Sequence, residues 1–125
     1  MKTTVLPTLV LAIGLISPLT AQVEIKDTKG KHLDVLAHGK VLVRYMYEHD
    51  TSSKERQHET YKPYLHVFDA EGKKPITKGP GGKYTHHRGI FIGWNRLQFN
   101  GKSYDRWHMT SGDIVHQKFL KQVQN

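Results

Sequence analysis

From residue 23 onward, apolar and polar residues alternate in short runs separated by turn-forming clusters. Val23-Glu24-Ile25-Lys26 alternates at period two and ends at Asp27-Thr28-Lys29-Gly30. His32-Leu33-Asp34-Val35-Leu36-Ala37 reads as a second strand and His38-Gly39 as a turn. A third strand, rich in β-branched and aromatic residues, spans 40–47. Residues 50–60 are polar and predict a loop with room for one helical turn. The next strand covers 61–68, with Pro63 at its entrance because proline has no amide to donate to a ladder. Asp69-Ala70-Glu71-Gly72 predicts a turn, 73–77 a short return, and Gly79-Pro80-Gly81-Gly82 a loop. No window after residue 22 carries a convincing helical stripe. The pattern predicts an all-β fold, an antiparallel β-sandwich or barrel.

The first 21 residues break the pattern. Met1-Lys2 is positive, 5–16 is largely apolar, and Ser17-Pro18-Leu19-Thr20-Ala21 is a small-residue exit. This predicts a signal peptide cleaved after Ala21 and an exported mature chain, 22–125, periplasmic or secreted. The apolar run is shorter than the roughly 20 residues that a bilayer-spanning helix needs, so no transmembrane segment is expected in the mature chain. The sequence has no cysteine, so no disulfide braces it.

Asn100-Gly101 is the strongest hairpin signal, since a type I′ turn needs positive φ at both central residues. A two-residue loop pairs Phe99 with Lys102, and carried down the ladder it sets Arg96 opposite Asp105, Trp94 opposite Trp107 and Ile92 opposite Met109. The other face then holds Phe91, Gly93 and Asn95 against Tyr104, Arg106 and His108, with His87 and Gly89 in line. Gly89 and Gly93 remove side chains there, which predicts either space for a ligand or close backbone packing.

The formal charge is +8, but the lysines and arginines are scattered and no nucleic-acid motif occurs, so a solvated basic surface is expected and a nucleic-acid partner is not. An acidic polysaccharide is the main anionic competitor. Nine histidines stand out. His86-His87 precede Arg88, a combination that suits general acid–base work beside a clamp for a carboxylate or hydroxyl. His86 and His87 point to opposite faces if the strand is regular, so a metal would need a bend and distant ligands such as His66 or His108. No cofactor is evident, and the metal assignment stays open. Trp94 and Trp107 form either a sugar-stacking platform or a core pair. No paired carboxylates, serine elbow or nucleotide-binding glycine loop is visible.

Three stretches carry a resemblance: Tyr61-Lys62-Pro63-Tyr64-Leu65-His66, Tyr84-Thr85-His86-His87-Arg88-Gly89-Ile90-Phe91-Ile92-Gly93-Trp94, and Tyr104-Asp105-Arg106-Trp107-His108. Together they resemble the methane oxygenase PmoA-like family of exported bacterial proteins. That resemblance implies a mutarotase-like supersandwich, of which this chain is the N-terminal fragment, and a role in carbohydrate metabolism. The membrane subunit of methane monooxygenase is a poor match, since it needs several spanning helices. The expected function is action on, or binding of, a small sugar or glycan. His87 is the expected acid/base, Arg88 the clamp and His108 the partner, with His66, His86, Trp94, Asn95 and Arg106 binding the substrate. A metal-dependent oxygenase and a non-catalytic glycan-binding module or inactive fragment are the alternatives.

Overall fold

A computed structural model describes residues 23–121. The expected export leader lies outside the described residues. Strands β1 (Val23–Thr28), β2 (His32–Ala37), β3 (Lys40–Met46) and β4 (Tyr64–Val67) form one antiparallel sheet in sequence order. A separate hairpin joins β5 (Leu97–Phe99) to β6 (Lys102–Tyr104). Among the described residues the fold is all-β with one short helix, α1 (Lys54–Thr60).

The sheet follows the period-two pattern closely. Leu33, Tyr45 and Leu65 stand opposite one another across β2, β3 and β4, and an isolated bridge from Leu65 extends this row to Ile90. On the opposite face a polar row runs Lys26, Asp34, Arg44, His66 across all four strands. Asp34 is buried and takes a bidentate pair from Arg44, at 2.7 and 3.0 Å, which satisfies both of its oxygens. A bulge between Val35 and Leu36 shifts the β2–β3 register.

Helix α1 is the main departure from the sequence reading, which expected a loop with at most one turn. Its sequence has no apolar stripe, and seven residues are too few to hold a helix unaided. Side chains hold it instead. Ser53 caps the N-terminus by accepting from the Arg56 amide at 3.2 Å. Arg56 pairs with Glu48, Asp50 and Glu59. The buried Arg88 guanidinium donates to the His58 and Glu59 carbonyls at the other end, where a cation suits the helix dipole.

Few apolar side chains are removed from water. Leu33, Tyr61 and Tyr64 are the buried hydrophobics among the described residues, whereas Leu42, Ile90, Ile92, Trp94, Phe99 and Leu120 remain exposed. An aromatic cluster of Tyr45, Tyr47, His116 and Phe119, with ring centroids 4.4–6.2 Å apart, fastens the C-terminal segment to β3.

Candidate functional site

The hairpin turn forms as predicted, with φ of 48° at Asn100 and 69° at Gly101. Its register also holds for three pairs, Phe99–Lys102, Gln98–Ser103 and Leu97–Tyr104. Beyond these the ladder fails. The Arg106 amide donates to the Trp94 carbonyl at 2.7 Å, one residue out of the extrapolated pairing. Asp105 causes the slip. Its Oδ1 accepts from the Trp107 and His108 amides at 2.9 and 2.8 Å, turning the chain out of the strand. The expected cross-strand pairs Arg96–Asp105 and Trp94–Trp107 are therefore absent from the ladder.

The glycines have a different role from making room. A Cβ on Gly93 would collide with the Arg106 carbonyl, and one on Gly89, at φ +28°, would collide with the Leu65 carbonyl. Both mark places where two backbones approach closely, and the ligand-space reading of Gly89 and Gly93 is corrected accordingly.

The imidazoles nonetheless converge. The ring of His86 lies 4.3 Å from that of His87 and 4.8 Å from that of His108. His87 also meets the edge of Trp107 at 5.8 Å. His108 Nδ1 lies 2.7 Å from Asp105 Oδ2, an imidazole–carboxylate dyad with a half-exposed histidine. Burial works against the ionised Asp105, but hydrogen bonds from the His108 amide and imidazole and from the Trp107 amide hold its carboxyl below the usual range. His86 is shifted down by burial and then by the charges of His87, His108 and Lys62, so it is neutral at pH 7. Beside the dyad an open groove of about 400 Å³ is lined by Gly93, Trp94, Asn95, Trp107 and His108, with Trp94 61% exposed.

Three expected site residues lie elsewhere. Arg88 is 1% exposed, stacks 4.1 Å from the Tyr61 ring and donates to the carbonyls of Thr85, His58 and Glu59. It is a structural brace, and the clamp assigned to it is corrected. Arg106 donates to the Ser111 and Gly112 carbonyls and stacks over Tyr104, so its guanidinium is directed away from the groove residues. His66 belongs to the polar row of the sheet, with Nδ1 3.0 Å from Thr77 Oγ1, and burial lowers its pKa. Its ring contact is with Tyr64 rather than with the other histidines.

Lys62 was missed in the sequence. It is 1% exposed, its Nζ lies 3.5 Å from the Phe91 ring centroid, and it donates to the Trp107 carbonyl at 3.1 Å. Burial, together with the Arg88 charge, pulls its ammonium down to about 8, against an opposing pull from Asp105. A lysine embedded between aromatics, in Tyr61-Lys62-Pro63-Tyr64, was the available signal. Among the described residues, no group of three or more His, Cys, Asp or Glu side chains is placed to hold a metal ion. Nor is any helix among them long and apolar enough to cross a membrane.

These features define an all-β chain whose imidazole cluster is carried on loops beside its sheet. Residues 32–125 match DUF6807, described as a family of unknown function, and the chain belongs to that family. No curated protein matches the chain, and neither does any solved structure.

Proposed function

We propose that this is an exported carbohydrate-active protein that holds a sugar in the groove beside the His108–Asp105 dyad. The observation that carries this reading is the dyad itself, an imidazole oriented by a carboxylate at 2.7 Å, next to an exposed tryptophan. A base oriented by a third group is the arrangement that moves protons in catalysis. His108 therefore takes the acid/base role ahead of His87, whose ring meets no carboxylate among the described residues. Trp94 offers an aromatic face to the apolar side of a sugar ring, and Asn95 an amide to its hydroxyls. The likeness to the PmoA-like family supports the same substrate class. The exposed apolar side chains of residues 90 and 92 support a sandwich whose second layer would cover them. The metal-dependent oxygenase reading finds no ligand set among the described residues.

The test is a panel of neutral, acidic and oxidised sugars scored separately for binding by calorimetry and for turnover. Trp94→Ala is expected to abolish binding. His108→Ala is expected to keep binding and lower kcat by about 10²–10⁴-fold. Binding without turnover by the intact chain reassigns it as a glycan-binding module, and no binding across the panel ends the reading.

A further inference from the structure

The glycine-rich loop that delivers the histidine pair is wrapped around a cation from its own chain. Lys78 Nζ lies 3.3 Å from the Gly79 carbonyl oxygen, 2.5 Å from that of Gly81, 3.0 Å from that of Tyr84 and 3.0 Å from that of His87. An ammonium has three N–H donors, so four acceptors exceed what directed hydrogen bonds require. The four oxygens gather about the charge as a partial coordination shell, open to solvent. Lys78 is solvent-exposed and no carboxylate pairs with it among the described residues, so these carbonyl dipoles are the protein groups that meet its charge.

The loop is built to make this ring. Gly81 and Gly82 sit at φ +95° and +71°, the left-handed region that turns a carbonyl back toward the loop centre and that side chains disfavour. The Gly82 α-carbon lies alongside the Lys78 stem, where a Cβ would sit 3.5 Å from Cε. The loop also closes on the same residue. The Lys78 carbonyl accepts from the Gly89 amide at 2.7 Å, and the His87 amide donates to the Tyr84 carbonyl at 3.1 Å. Two of the four oxygens, those of Tyr84 and His87, bound the turn that bears His86 and His87.

We propose that the carbonyls of Gly79, Gly81, Tyr84 and His87 form a cradle for a small monovalent cation, which the Lys78 ammonium fills from within the chain, so that Lys78 is the positioning residue of the histidine loop. A ring of backbone carbonyls is the donor set that replaces the hydration shell of potassium, and ammonium has the same charge and a similar demand for oxygen ligands. Cutting the side chain back to Cβ vacates the centre for an added ion. A neutral side chain of similar length fills the space without charge. This inference is independent of the sugar reading, because its test observes the loop and not the groove.

The experiment follows hydrogen exchange of residues 79–89 by mass spectrometry in the full chain, with far-UV circular dichroism reporting the sheet. Lys78→Met is expected to exchange about tenfold faster in this segment, whatever salt is present. Lys78→Ala is expected to show the same loss in tetraethylammonium chloride, and to recover toward the wild-type rate in potassium or ammonium chloride at matched ionic strength. Unchanged exchange in Lys78→Met overturns the positioning role. Failure of potassium and ammonium to slow exchange in Lys78→Ala, or an equal effect of tetraethylammonium, overturns the cradle. Loss of the sheet signal in both variants overturns the proposal as well, since Lys78 would then hold the fold as a whole and not the loop.

Discussion

Outside helix α1 and its flanking segments, the backbone between residues 23 and 67 is held largely by backbone, and between 69 and 121 it is held largely by side chains. In the first region β1 to β4 hydrogen-bond through their ladders, and the turns β1–β2 and β2–β3 are three and two residues long, while the longer β3–β4 connection carries α1. In the second, the described strands are three residues long, and cationic side chains reach to carbonyls that have no ladder partner. Lys62 donates to Trp107, Lys78 to four loop carbonyls, Arg88 to His58, Glu59 and Thr85, and Arg106 to Ser111 and Gly112. Part of the basic excess, read from sequence as solvated surface, therefore works as scaffolding, buried at Lys62 and Arg88 and at the surface at Lys78. A sheet satisfies its polar groups as a consequence of its geometry, whereas an irregular segment must find a donor for each carbonyl. Because the loops are not tied to one another by a ladder, they are free to bring distant imidazoles together.

Arg88 links the two regions, and removing it gives the strongest way to break the comparison. Arg88→Met keeps the bulk over Tyr61 and leaves the α1 carbonyls without their donor. It is expected to cost about 3–4 kcal/mol in urea denaturation. A cost below 1 kcal/mol would make the brace unimportant. Gly89→Ala attacks the seam where the loop touches β4. Strain at φ +28° and the collision with Leu65 are expected to cost about 2 kcal/mol. The loss should appear first as faster exchange of the Leu65 and Ile90 amides, which donate to each other's carbonyls at 2.8 and 2.9 Å.

The smallest effect sharpens the contrast by acting on the second region. The His86 pKa is lowered by burial and by neighbouring positive charge, so the folded state resists protonating it. The unfolded chain takes that proton near pH 6.5. The contribution of His86 is therefore fully present above that value and declines as pH falls from there toward the lowered folded pKa. Urea midpoints measured from pH 8 to pH 5.5 should fall less steeply in His86→Gln than in the wild type. Parallel curves would show that His86 does not feel its neighbours.

The strands of the first region and the hairpin turn of the second were legible because their cues are local. Alternation in 23–26 and 32–37, the Lys29-Gly30 and His38-Gly39 turns, Pro63 just before β4 and the Asn100-Gly101 turn all depend on residues adjacent in sequence. The site was legible only in part. The extended hairpin register set His87 on the face of His108 and His86 on the other, whereas it is His86 whose ring meets both His87 and His108, beside a turn at Asp105 that the register did not contain. Trp94 and Asn95 line the groove beside them, while Arg88, Arg106 and His66 serve the scaffold.

The sequence by itself determined the all-β character, the approximate positions of the sheet strands and the position of the hairpin turn, because period-two burial and positive φ are properties of short segments. The tertiary structure decided which cation faces which carbonyl, why residues 89 and 93 must be glycine, and that Asp105 orients His108 instead of pairing with Arg96. Those outcomes depend on backbones and side chains far apart in the chain competing for the same donors and the same space. No local pattern records who wins that competition.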